Sequence, residues 1–309
     1  MNRYGLLIVL LLQPLLALAE EDRLCFVQFI HPGSEHEPDS AWGRSWNTEA
    51  HRRKFLKQPG LYQSSLEGRP AGTELVFWGE FEPPTRLVKR YEAPEADEPR
   101  FLFAPEFQPF RTNDPPLMNT DPFIYGDRFF YSICKQNNRR GPTAFQRLAR
   151  GSVILFGSGR GRDRFIVDTV FVVADYVDWN LHNYRERLKN VVPPEYFHVT
   201  LEPIAYEMKV RNLTPSQTFR LYIGATFDRP HEGMFSFFPC RPYRDENGHG
   251  FARPVIRRAG IITDNLTQGQ RMNPTPNPEA VRELWADTAR QVLEQGLYLG
   301  VHAELPKMR

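Results

Sequence analysis

The feature that most constrains this chain is a pair of β-branched runs around a glycine-rich turn. Ser152–Phe156 (SVILF) leads into Gly157-Ser158-Gly159-Arg160-Gly161-Arg162, and Phe165–Val173 (FIVDTVFVV) follows. Two apolar, β-prone runs joined by such a turn specify an antiparallel hairpin. The glycines invite a phosphate cradle, because they expose backbone N–H groups beside Arg160, Arg162 and Arg164. Neither a Walker loop nor a dinucleotide fingerprint fits, since both open a helix and here a strand follows. The sequence leaves two readings open: an anion site at Arg160 and Arg162, or a hairpin tip with solvated arginines.

Other elements are arranged around this hairpin. Leu24–Ile30 reads as a first strand, ended by His31-Pro32-Gly33. Trp46–Leu56 reads as a short helix capped by Asn47 or Thr48, with His51, Arg52, Arg53 and Lys54 on a basic face. Glu74–Phe81 alternates as a strand up to Pro83-Pro84, with Arg86–Tyr91 as its expected partner. The segment from Glu92 to Asp114 is rich in proline and acids and carries Phe101, Phe103, Phe107 and Phe110, which predicts a loop packed down by its aromatics. Strands are expected at Tyr196–Leu201, Arg220–Thr226 and Met234–Phe238. A helix is expected from Pro278, with Asn277 as N-cap, apolar residues from Val281 to Leu293 at helical spacing, and Gly296 at C′.

The hydrophobic share of 41% and the charged share of 25% are those of a chain that buries a core, not of a disordered one. Aromatic content of 13% and 27 prolines argue against a helical bundle. Residues 1–19 read as a secretory signal peptide: Arg3, an apolar stretch Leu6–Leu16, then Ala17-Leu18-Ala19 before Glu20. This predicts a periplasmic or secreted protein; the alternative is a cytoplasmic one with a mis-assigned start. Beyond that leader no run approaches the length needed to cross a bilayer. Cys25, Cys134 and Cys240 are odd in number and widely spaced, so they read as small buried hydrophobes.

Candidate chemistry lies in four places. Trp78, Glu80 and Glu82 share one face of a strand, and the two carboxylates permit acid and base roles. Residues 119–136 mix Asn119, Asp121, Arg128, Lys135 and Gln136 with Phe123, Phe129, Phe130 and Tyr131, as in a pocket lining. From Arg128 to Arg164 there are nine Lys or Arg against one acid, Asp163, a candidate anion or nucleic-acid face. His31, Glu35 and His36 are metal-ligand types, but Pro32-Gly33 forbids the helix that an inverted zincin motif needs, so no metal is expected.

The strings WGEFEPP (78–84), NTDPFIYGDRFFYSICKQ (119–136), RGSVILFGS (150–158), DTVFVVAD (168–175) and GMFSFFP (233–239) resemble those of a bacterial protein family, over residues 25–260. That resemblance implies no particular activity. The hairpin is also similar, more loosely, to the GD-x-V-x-F hairpin of PUA-like barrels, including EVE and ASCH domains, with Ser152 standing where that pattern has Asp. This second resemblance implies a barrel holding RNA or a modified base in an aromatic cleft.

The expected fold is therefore α+β: a mixed, barrel-like β-sheet of PUA-like character with peripheral helices. The main domain would span residues 20–275, with residues 276–309 a C-terminal helix and tail packed on it. The expected function is a binding module for a small anionic or nucleobase-type ligand, with nucleic acid a candidate partner and no cofactor. Trp78 and Tyr131 would stack the ligand; Asn119, Asp121 and Gln136 would make polar contacts; Arg128 and Lys135 would neutralise charge. The alternatives are an exported envelope hydrolase using Glu80, Glu82 or Asp121, and an exported scaffold without a pocket, favoured if the aromatics of 123–131 form a core.

Overall fold

The structure, a computed structural model, describes residues 21–31, 33–38, 44–45, 52–92, 94–110, 120–159, 164–210, 217–244, 250–257 and 277–308. It is strand-dominated with few helices. The ten longer strands are β1 (Phe26–Ile30), β2 (Arg53–Gln63), β3 (Ala71–Glu80), β4 (Thr85–Arg90), β5 (Phe101–Pro105), β6 (Val153–Gly159), β7 (Phe165–Trp179), β8 (Phe219–Gly224), β9 (Phe238–Pro242) and β10 (Tyr298–Ala303).

The expected hairpin is β6 and β7, antiparallel, with Val153 opposite Val172 and an irregularity at Phe156/Gly157. It is the centre of the first sheet, ordered β1–β6–β7–β8 and extended beyond β8 by Phe130–Tyr131. Because β1 pairs with β6 in parallel, the sheet is mixed. Val153, Ile154, Leu155, Val170, Phe171 and Val172 are all fully buried, so both faces of the hairpin are covered, as the unbroken apolar runs require.

The second sheet runs β10–β9–β3–β2–β5–β4 and also pairs β10 with β2. That extra pairing closes β10, β9, β3 and β2 into a small four-stranded barrel. The segment after the C-terminal helix thus supplies a strand of the barrel. The barrel-like expectation holds at this level, while the hairpin that carries the PUA-like resemblance lies in the other sheet.

Helix α1 is Tyr184–Leu188, and α2 runs from Pro194 to Val210, α-helical at Pro194–Tyr196, π-helical at Phe197–Leu201 and α-helical again at Glu202–Val210. Helix α3 is Pro278–Glu294. It matches the sequence closely: the Asn277 side chain accepts from the Ala280 N–H, and Gly296 has φ +71°. Val281, Trp285, Ala289 and Val292 pack into the core shared with Phe235 and Phe237. Among the described residues no helix is long and apolar enough to cross a membrane.

Several expectations are corrected. Of the helix expected at Trp46–Leu56, residues 53–56 are strand, because β2 pairs along its length with β3; residues 46–51, with both proposed caps, lie outside the described residues. Tyr196–Leu201 is helical, not strand. Its aromatic and β-branched residues made a strand signal, but Tyr196, Val199 and Leu201 are buried from a helix in the larger core. Arg86–Tyr91 does not pair with Glu74–Phe81; β4 pairs with β5. The expected aromatic loop therefore contains a strand, and Phe103 and Phe107 are core residues. The strand expected at Met234–Phe238 begins only at Phe238.

Candidate functional site

Two sites emerge from the way the sheets meet: a buried chain of charges, and a cleft at one end of it. The register of the barrel sets Arg53, first residue of β2, opposite Glu80, last residue of β3. Arg53 Nη1 donates to Glu80 Oε2 at 2.8 Å, and its Nε donates to Asp168 Oδ2 of β7 at 2.6 Å. His31, just beyond β1, bonds Glu80 through Nδ1. Arg253 continues the chain at Asp168, with Nη1 3.3 Å from Oδ1. Arg253 also donates to Ser158 Oγ at 3.0 Å and to the Gly33 carbonyl at 2.7 Å.

Positive and negative charges alternate along Arg253–Asp168–Arg53–Glu80. Burial works against the charge of Arg53, but Asp168 and Glu80 outweigh it and hold the guanidinium above its ordinary pKa. Burial lowers the pKa of His31 more than Glu80 restores it, so the ring favours its neutral form. A void of about 10 Å³ beside this chain is lined by Arg53, Glu80, Asp168 and Tyr125. That is about the size of one water.

The cleft has a volume of about 620 Å³. Trp78 and Phe251, both buried in the core that backs the cleft, line it with Arg241 and Arg253 as cations and Glu35, Asp97 and Glu98 as acids. Trp78 Nε1 donates to the Phe251 carbonyl at 2.8 Å, which ties the two aromatic residues together. Arg253 lies 5.7 Å from the Trp78 ring and Arg241 lies 5.3 Å from the Phe251 ring, both in cation–π range. Arg241 uses Nε on the Gly296 carbonyl at 3.2 Å. Glu35 is occupied by Arg100, whose Nε donates at 3.0 Å, and by the backbone N–H groups of Arg100 and Phe101.

Of the residues singled out from sequence, Trp78 lines this cleft; Asp121, Arg128, Tyr131, Lys135 and Gln136 do not. Asp121 is fully buried and accepts from the N–H groups of Ser132, Ile133 and Cys134 at 2.8, 2.8 and 2.7 Å. Burial raises its pKa to about 6 against those three bonds. Gln136 is buried, with Nε2 donating to the Arg220 carbonyl at 2.7 Å and Oε1 accepting from the Arg220 N–H at 2.8 Å. Tyr131 stacks on Tyr222 at 5.6 Å and donates to the Cys134 carbonyl at 2.7 Å. The aromatics of 123–131 are core, with Phe123, Tyr125, Phe129, Phe130 and Tyr131 all buried. Arg128 is half-buried.

Asn119, Arg160 and Arg162 lie outside the described residues. The basic run is partly spent internally: Arg150 pairs with Asp175 at 2.6 Å, and Lys135 turns inward to the Ile30 carbonyl. Glu80 and Glu82 are both buried; Glu80 belongs to the charge chain, and Glu82 acts on Lys54. Lys54 is itself fully buried, donating to the Pro83 carbonyl at 3.0 Å, and desolvation drives its ammonium well below the ordinary pKa. His31 and His36 diverge, the first to Glu80 and the second towards Phe103, 6.1 Å between ring centres. Among the described residues no three metal-ligating side chains gather, and none of the three cysteines is in a disulfide.

Sequence reasoning missed Arg241, Phe251 and Arg253. Arg241 is near the end of β9, Phe251 and Arg253 lie well beyond it outside any strand, and none carries a motif; only the fold brings them beside Trp78. As a class, the fold and site define a strand-dominated α+β protein with an aromatic and arginine-lined cleft backed by buried charge. No family model matches the chain, and no curated protein or solved structure matches it either.

Proposed function

We propose that the protein binds a small, planar, anionic ligand of nucleotide type in the Trp78–Arg253 cleft. The observation that carries this reading is the pairing of two arginines with two aromatic rings in one cleft whose volume falls within the roughly 300–1,000 Å³ of small-molecule sites. A base would lie against Trp78 and Phe251, whose rings already hold guanidinium groups. Arg241 and Arg253 would take the phosphate, where an arginine fork makes charge-assisted bonds. Asp97 and Glu98, which also line the cleft, would accept from amino groups of the base.

On this reading the four-stranded barrel plays the part of the PUA-like barrel, with Trp78 on β3 and Arg241 on β9 at its edge. A polymeric nucleic acid would have to present a single unstacked base to a cleft this small, so a mononucleotide is the first candidate. On the same proposal the leader would carry the chain out of the cytoplasm; an N-terminal residue at Glu20 in the exported cell fraction tests that part.

Titration calorimetry with nucleoside monophosphates, the matching nucleosides and inorganic phosphate tests the function. A monophosphate should bind at least tenfold more tightly than its nucleoside, and Arg241→Gln should narrow that gap. Equal affinities for the two, or no binding of either in the millimolar range, overturns it.

A further inference from the structure

Asp97 lines the cleft from the third position of a β-turn, Glu95–Glu98, closed by the Glu98 N–H on the Glu95 carbonyl at 3.1 Å. It has φ +71°, a left-handed value that turns more often give to glycine or asparagine. The turn is fastened on both sides. Pro99 sits so close to Gly250 that a Cβ there would lie 2.1 Å from the proline Cγ, which ties the turn to the segment bearing Phe251 and Arg253. Arg100 gives its backbone N–H and its Nε to Glu35, another lining residue of the cleft, at 2.8 and 3.0 Å. Glu98 Oε2 braces the turn from within, accepting from the Glu95 N–H at 3.1 Å. Asp97 is itself exposed, and its charge is felt by Arg253.

We propose that Asp97 makes the cleft selective for guanine among the bases, an inference that rests on the nucleotide reading of the same site. A carboxylate offers two acceptor oxygens and no donor. Guanine presents two adjacent donors on one edge, N1–H and the N2 amino group, so the two oxygens can take both in a paired, charge-assisted arrangement. Adenine and cytosine each set an amino group beside a ring acceptor. Uracil sets its N3–H between two carbonyl oxygens, which the carboxylate repels. Hypoxanthine keeps N1–H but lacks the amino group, so it forfeits one of the two bonds. A site that hydrogen-bonds a particular N–H group discriminates against the analogue without it, because its own polar group is then left unpaired. The fastened turn adds to this selectivity, since an acceptor already held in place loses little freedom when the base arrives.

The test is titration calorimetry of the full chain with the 5′-monophosphates of guanosine, inosine and adenosine, which share the ribose phosphate. The guanosine compound should bind about tenfold more tightly than either of the others, the effect of one charge-assisted hydrogen bond. Asparagine adopts the left-handed conformation readily, so Asp97→Asn keeps the turn while replacing one acceptor oxygen with a donor, and it should remove most of the preference for guanosine over inosine. Asp97→Gly, which also fits that backbone, is a second variant with the same expectation. Equal affinities of the native protein for the guanosine and inosine compounds overturn the choice of guanine and leave the nucleotide site standing. Binding of none of the three in the millimolar range overturns both. A preference that survives intact in either folded variant takes the role away from Asp97.

Discussion

Arg53 Nε donates to Asp168 Oδ2 at 2.6 Å, and this bond joins the barrel to the sheet that holds the β6–β7 hairpin. Both side chains are almost wholly shielded from water, and the same guanidinium serves Glu80. Removing one partner of such a pair leaves an uncompensated buried charge, at a cost of about 3–5 kcal/mol. Arg53→Met is therefore expected to lower stability by about that amount, read by urea denaturation. A loss below about 1 kcal/mol would mean that the pair behaves like a surface ion pair.

Gly33, part of the cleft wall, tests the cleft through Arg253. A Cβ there would lie 2.7 Å from Arg253 Nη2 and 2.7 Å from Ser158 Oγ, so Arg253 must move. The clash falls on side-chain atoms only, the far end of Arg253 and the Ser158 hydroxyl, so Gly33→Ala should leave the protein folded with a lowered melting temperature while weakening nucleotide binding about tenfold, a loss of about 1.4 kcal/mol. Binding unchanged in a folded variant would remove Arg253 from the site.

The turn that carries Lys135 depends on one carboxylate. Asp121→Ala leaves three buried or half-buried N–H groups without an acceptor, each worth about 1–3 kcal/mol, so the variant should melt far below the native protein. Asp121→Asn keeps an acceptor oxygen and should recover part of the loss. Equal melting of the two variants would show that the three hydrogen bonds matter less than the volume of the side chain.

His36 sets a pH dependence. Burial lowers its pKa to about 3, with Lys54 and Arg52 adding to the effect. The unfolded chain takes up the proton at the ordinary value of about 6.5, so it binds more protons than the folded state between pH 6.5 and 3. Stability contributed by neutral His36 is thus present above pH 6.5 and is lost as pH falls, by about 1.4 kcal/mol per unit. Buried His31 acts with the same sign. Asp121, raised to about 6, acts oppositely between pH 6 and its ordinary value. His36→Gln should flatten the acid limb of a melting-temperature profile; an unchanged limb would assign the acid loss elsewhere.

The parts of this fold that could be read from sequence are those where local chemistry and tertiary packing agree. The β6–β7 hairpin announced itself through β-branched runs, and α3 through Asn277, Pro278 and Gly296, all of which act over a few residues. Residues 53–56 misled because Arg53 and Lys54 look like an exposed basic face. Their burial is decided by Asp168 and Glu80 in the case of Arg53, and by Pro83 and Glu82 in the case of Lys54, and no local pattern records those partners. The same holds for the cleft. Trp78 was recognisable as an aromatic on a strand, but Arg241 reaches it only through β9, and Phe251 and Arg253 only through tertiary packing. The aromatics of 123–131 combine polar and apolar residues just as a pocket lining does, and burial alone distinguishes the core they form.

The cleft is best tested at the Trp78 indole. In a ¹H–¹⁵N spectrum its Nε1–H resonance, identified by its loss in Trp78→Phe, should shift progressively as a nucleoside monophosphate is added, while those of Trp179 and Trp285 stay in place. A Trp78 resonance that remains fixed up to millimolar ligand, or shifts no greater than those at Trp179 and Trp285, would contradict nucleotide binding in this cleft.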